Sequence, residues 1–153
     1  MTDPTEVLSA PHVLEYTYTR STGPVLGAFL AGLRDRRILG VRAGDGRVLV
    51  PPSDYDPVTS EDLGELVEVA DRGVVTTWAW NPAPRDGQPL GHPFAWALVR
   101  LDGADTALLT AVDTGGPGRI RTGARVRARW AAERTGSIHD LACFDLDPAG
   151  EGA

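Results

Sequence analysis

From residue 24 onward the apolar positions fall at helical spacing. Val25, Leu26, Phe29, Leu30 and Leu33 lie on one side of a 3.6-residue period, preceded by Ser21 and Thr22 as caps and by Pro24 in the first turn. The pattern predicts an amphipathic helix over 24–35, within a segment 21–35. Upstream, 1–20 holds turn formers and one short alternating run, Leu14-Glu15-Tyr16-Thr17-Tyr18. It reads as a flexible arm able to add one extended strand, with tyrosines that could cover an apolar surface. Downstream the period falls to two. Ile38–Arg42 and Val48-Leu49-Val50 flank Gly44-Asp45-Gly46, a hairpin signal closed by Pro51-Pro52. A loop rich in Asp and Pro then completes a small lobe over 36–66. From 67 to 147 the chain reads as short strands at 66–69, 73–80, 94–101, 106–112, 125–130 and 141–146, separated by glycine-marked turns and one proline-rich loop at 81–93. With no long helix between the strands, a five-stranded barrel of the OB type fits better than a parallel sheet. The expected tail, 148–153, is disordered.

Composition narrows the function classes. At 153 residues the chain is the size of one domain or two small lobes, and 42% hydrophobic residues suffice for a core. Fifteen cations against twenty-one acids leave a formal charge of −6, the wrong sign for neutralising phosphates along a nucleic acid. All the cations are arginine, which excludes a lysine Schiff base or lysine general base. No run approaches the roughly 20 apolar residues needed to span a bilayer. The polar, acidic 1–6 is unlike a signal peptide, so the expected location is the cytoplasm. One cysteine, Cys143, allows neither an intrachain disulfide nor a thiolate cage.

Candidate chemistry is sparse. His12, His92 and His139 stand in loops or the arm with no Ser, Cys or Glu constellation beside them, and Cys143 reads as a small buried hydrophobe. Gly115-Gly116-Pro117-Gly118 lacks the strand, helix and lysine of a phosphate loop. No catalytic residue is assigned and no cofactor is expected. Trp78 and Trp80 share one strand face, as do Phe94 and Trp96 on the next strand; they are either barrel core or an aromatic contact surface. Arg125, Arg127 and Arg129 alternate onto one face, either as a solvated surface or as an anion contact for carboxylates or the phosphates of a coenzyme A ester.

Several motifs follow one another in an order that carries a resemblance. They are Phe29-x-x-x-Leu33, Gly40-x-Arg42, Gly46-Arg47-Val48-x-Val50-Pro51-Pro52, Tyr55-x-Pro57, Gly73-Val74-Val75, Pro93-Phe94, Leu101-Asp102-Gly103-Ala104-Asp105 and Gly123-x-x-Val126. Together they resemble the zinc-ribbon plus OB-fold family of proteins that accompany thiolase-like enzymes. The run from Tyr18 to Val25 is most similar to the branch paired with steroid side-chain aldolases. The resemblance implies a mainly β fold with an N-terminal helix, a rubredoxin-like ribbon and a five-stranded OB barrel. It implies a non-catalytic accessory subunit in steroid side-chain degradation, assembled with a thiolase-fold enzyme as two of each. Some relatives also pair with a hotdog-fold hydratase, and the acyl-CoA substrate lies at the interface. An OB module binding single-stranded nucleic acid or oligosaccharide directly is the alternative, disfavoured by the charge.

The family's ribbon carries two Cys-x-x-Cys pairs. At the corresponding positions this chain has Arg42, Asp45, Asp56 and Thr59, a set unsuited to structural zinc, so a degenerate, metal-free ribbon is expected. A lobe of about thirty residues without metal or disulfide buries too little surface to offset its chain entropy. Docking onto a partner through Val25, Leu26, Phe29 and Leu33, together with Trp78, Trp80 and Phe94, is the expected stabiliser.

Overall fold

The computed structural model describes residues 7–150. Helix α1 (Gly23–Arg34) forms where the spacing predicts it, with Thr22 as N-cap and Pro24 in the first turn. The Thr22 side chain makes no capping bond. Arg36, at φ 59°, turns the chain out of the helix, and its N–H donates to the Leu33 carbonyl. The stripe of Val25, Phe29 and Leu33 is buried at 4%, 2% and 0% exposure, while Leu26 looks outward. Each buried side chain of this size contributes roughly 1.5–3 kcal/mol of gross apolar transfer energy.

The next three strands form a small antiparallel sheet. β1 (Ile38–Arg42) and β2 (Val48–Leu49) make the predicted hairpin, its turn using Gly46 at φ 89°. β3 (Leu66–Val69) pairs with the other side of β1, giving the order β2-β1-β3. The expected OB-fold segment begins at 67; the strand that opens it pairs with β1 of the lobe rather than with a barrel strand, and a short apolar run gives no sign of which sheet it joins.

The remaining strands close a five-stranded barrel. They are β4 (Arg72–Asn81), β5 (Phe94–Leu101), β6 (Leu108–Asp113), β7 (Arg125–Trp130) and β8 (Leu141–Leu146), in the order β4-β5-β6-β8-β7. All pairs are antiparallel except β6 with β8, which touch only through Val112↔Phe144 and Asp113↔Asp145. Gly73 sits where β4 is squeezed between β5 and β7: a Cβ there would lie 2.2 Å from the Arg100 carbonyl oxygen.

Lobe and barrel share one core. Phe29, Leu33, Ile38, Val48 and Val50 belong to the same buried cluster as Val75, Val99, Leu101, Val112, Val126 and Phe144. The β5–β6 turn also bonds to β2 and its flank. The Val48 N–H donates to Asp105 Oδ2 at 2.8 Å and the Asp105 N–H returns to the Val48 carbonyl at 2.9 Å. Thr106 Oγ1 accepts from the Val50 N–H at 2.7 Å and donates to its carbonyl at 3.0 Å. The lobe therefore obtains from the barrel the support that the sequence reading assigned to another protein.

Two further expectations change. Residues 7–22 are irregular and exposed, so the run Leu14–Tyr18 adds no strand to either sheet. At the far end, Pro148–Gly150 form a 3-10 turn where a disordered tail was expected; the rest of that tail, and residues 1–6 of the arm, lie outside the described residues.

Candidate partner interface

Three of the four positions that match the family's zinc ligands come together, without forming a metal site. Asp45, Asp56 and Thr59 line a cleft of about 170 Å³ with Arg47 and Glu61, while Arg42 points away to Glu65 at 2.9 Å. Buried Asp56 is used by its own loop, its Oδ1 accepting from the N–H groups of Val58 and Thr59 at 2.7 and 3.2 Å. Asp45 accepts from the Arg47 guanidinium at 2.5 Å, which holds its carboxyl below the usual range. Among the described residues no group of three His, Cys, Asp or Glu side chains is arranged to hold a metal ion.

The arginine stripe alternates as its sequence pattern predicts, but most of its charge is matched. Arg125 forms a two-pronged pair with Asp102 at 2.9 and 2.5 Å, and this bond pulls the Asp102 carboxyl below its ordinary range. Arg129 bridges Asp145 and Asp113, the second contact at 3.0 Å, and His92 Nε2 lies 3.1 Å from the other Asp113 oxygen. Burial raises the Asp113 pKa, and the hydrogen bonds from His92 and Arg129 outweigh it, leaving a net lowering. Arg127 forms no ion pair among the described residues. Beneath Arg129, burial pushes the Cys143 thiol up to about 11, the environment of an inert thiol. His12 and His139 are exposed.

The predicted contact residues are mostly spent inside the chain. Val25, Phe29 and Leu33 pack in the core, leaving Leu26, at 37% exposure, as the one of the four predicted helix contacts that faces solvent. Phe94 is fully buried on the outside of the barrel with Ala111, Cys143 and Leu90 of the proline-rich loop, and packs edge-on against Trp96 at 5.0 Å. Trp78 and Trp80 are half-buried against the main core.

Exposed apolar surface instead concentrates in two other places. One is the arm, where Val7, Leu8, Val13, Leu14, Tyr16 and Tyr18 are each between 67% and 88% exposed. The other is a groove of about 370 Å³ that opens where β6 and β8 part, lined by Trp96, Leu109, Pro89, Ile138 and Leu141. Leu109, which lines it, stands opposite exposed Leu98 in register. The floor is fixed by the turn Ile138–Asp140, where buried Asp140 accepts from the N–H groups of Thr135, Gly136 and Ser137. Sequence reasoning missed the groove. Its signal was the near-continuous apolar run of β5 and the Leu108-Leu109 pair, which break the alternation of a strand with one wet face.

These features define an OB-fold protein with a small three-stranded lobe beside the barrel, whose free apolar surface is of the kind that protein contacts use. Residues 66–131 match the family model described as ChsH2, C-terminal OB-fold domain. A crystal structure of a DUF35-family protein of unknown function from Sulfolobus solfataricus superposes with a TM-score of 0.61 at 22% identity, covering 82% of this chain and 87% of that one. The Ltp2-ChsH2(DUF35) aldolase superposes with a TM-score of 0.59 at 21% identity, covering 86% of this chain and 98% of that one. No curated protein matches the chain. The family resemblance carried by the sequence motifs is borne out over the OB-fold domain, residues 66–131. The mainly β fold that it implies, with an N-terminal helix and a five-stranded OB barrel, is borne out as well. Among the described residues no helix is long and apolar enough to cross a membrane.

Proposed function

We propose that this chain is the accessory subunit of an aldolase complex, assembled with a thiolase-fold enzyme that supplies the catalytic residues and acts on an acyl-CoA, steroid side-chain thioesters being the favoured class. The observation that supports the reading most is the match of residues 66–131 to the ChsH2 OB-fold domain, with the fold shared with an Ltp2-ChsH2 aldolase. The distribution of apolar surface fits it. The arm and the groove at Trp96, Leu109 and Ile138 offer contact area without unfolding any of the core. The subunit's contribution is shape: it closes the partner's channel, excludes water and positions a bulky acyl chain. A hotdog-fold hydratase can join the same assembly.

The test is co-expression with a thiolase-fold enzyme from the same genome. Light scattering after size exclusion should show two of each chain, and retro-aldol cleavage of a side-chain acyl-CoA adduct should require both. Removal of 1–20 should prevent assembly while leaving the isolated chain folded. Co-elution that fails, or cleavage by either chain alone at the rate of the mixture, refutes the proposal.

A further inference from the structure

The outer face of β4, β5 and β7 carries a local excess of guanidinium in a chain whose formal charge is −6. Arg72 of β4 stands directly opposite Arg127 of β7, and Val74 is flanked by Arg100 of β5 on one side and Arg125 of β7 on the other. Among the described residues only Arg125 is saturated, by Asp102. Asp102 also feels Arg72 and Arg100, so one carboxylate sits among three guanidinium groups. Arg72 has only its sequence neighbour Asp71, at 3.7 Å. Asp145 lies opposite Arg127 in register but is taken by Arg129. Arg100 and Arg127 are exposed and form no ion pair among the described residues.

Like charges directly opposite across antiparallel strands are destabilising, with Cβ atoms only about 5 Å apart. Two guanidinium forks at that spacing suit an anion that each can grip through two oxygens, which phosphoryl groups offer and an ammonium-type contact would not exploit. Arg100 lies on the diagonal from Arg72, about 7–8 Å away at Cβ, the distance of a second phosphoryl group rather than of the same one. The overall negative charge works against a long polyanion and in favour of a small one.

We propose that this face is a binding subsite for the diphosphate group of a small molecule, with Arg72 and Arg127 holding one phosphoryl group and Arg100 the other. The inference stands on strand register and ion pairing and does not rest on the accessory-subunit reading. Calorimetry of the full chain at low ionic strength tests it, with inorganic pyrophosphate as the probe and a short polyglutamate peptide as the competing acidic ligand. Pyrophosphate should bind with Kd at or below about 1 mM. Arg72→Gln and Arg127→Gln should each weaken it about tenfold, and Arg85→Gln, in the loop beyond β4, should leave it unchanged. The Tm of the two active-face variants should equal or exceed that of the parent, because the like-charge pair is relieved, so lost binding cannot be lost folding. Absence of pyrophosphate binding, binding indifferent to the Arg72→Gln/Arg127→Gln double variant, or arginine-dependent binding of polyglutamate alone would each overturn it.

Discussion

Replacing Phe29 by alanine separates a helix that serves the chain's own core from one held in reserve for another protein. Phe29 is 2% exposed and shares a cluster with barrel residues Val99, Val126 and Phe144. Truncation removes the transfer energy of the ring and leaves a cavity in a shared core, which together cost about 3–5 kcal/mol. For a chain of this length each kcal/mol moves Tm by roughly 2–4 °C, so a fall of about 6–20 °C is expected. The assay has a built-in reporter, because all four tryptophans lie in the barrel while the substitution lies in the helix. Urea unfolding followed by tryptophan fluorescence and by far-ultraviolet circular dichroism should give coincident transitions, both displaced. Leu26→Ala, on the solvent side of the same helix, should cost less than about 0.5 kcal/mol. A fluorescence transition left in place while the helix signal alone shifts would refute the single shared core.

Gly73→Ala should destabilise by about 3 kcal/mol or more, since the added carbon meets main-chain atoms of Arg100 and Leu101 that cannot swing aside; a Tm within 2 °C of the parent's, by the roughly 2–4 °C per kcal/mol scale, would contradict the close approach. Asp102 and Asp113 have folded pKa values below the ordinary carboxylate value, so the unfolded chain binds the extra protons and stability is lost as pH falls below about 4. Asp113→Asn should flatten that acid limb in a series of Tm measurements from pH 3 to about 7. Cys143 has the opposite sign. Its thiol ionises near 9.0 when unfolded and about 11 when folded, so stability should decline as pH rises across that interval, by roughly 2–3 kcal/mol, and Cys143→Ala should remove the decline. Reaction of the native thiol with an aromatic disulfide should be slow and limited by unfolding.

What could be read from the sequence followed from local periodicity. The recurrence of Val25, Phe29 and Leu33 placed α1 and its inward stripe, Gly46 placed the hairpin turn, and the alternation of Arg125, Arg127 and Arg129 placed their common face. What escaped depended on contacts between distant segments. Nothing in Arg125 or Arg129 announces that Asp102 and Asp145 will be its carboxylates, 23 and 16 residues away. Nothing in Phe94 announces that Leu90 of the proline-rich loop folds over it. The lobe seemed too small to hold together because its size was counted alone. Phe29 and Ile38 extend a barrel core that a composition argument cannot see.

The bonds between the Asp105–Thr106 turn and β2 have a mechanical meaning. Together with the Arg134 guanidinium, which donates to the Arg34 carbonyl at 2.8 Å, they fasten both ends of the lobe and helix to the β-structure. No slack linker separates the two parts, so a protein that gripped the helix would swing the arginine-bearing wall as a handle swings a blade.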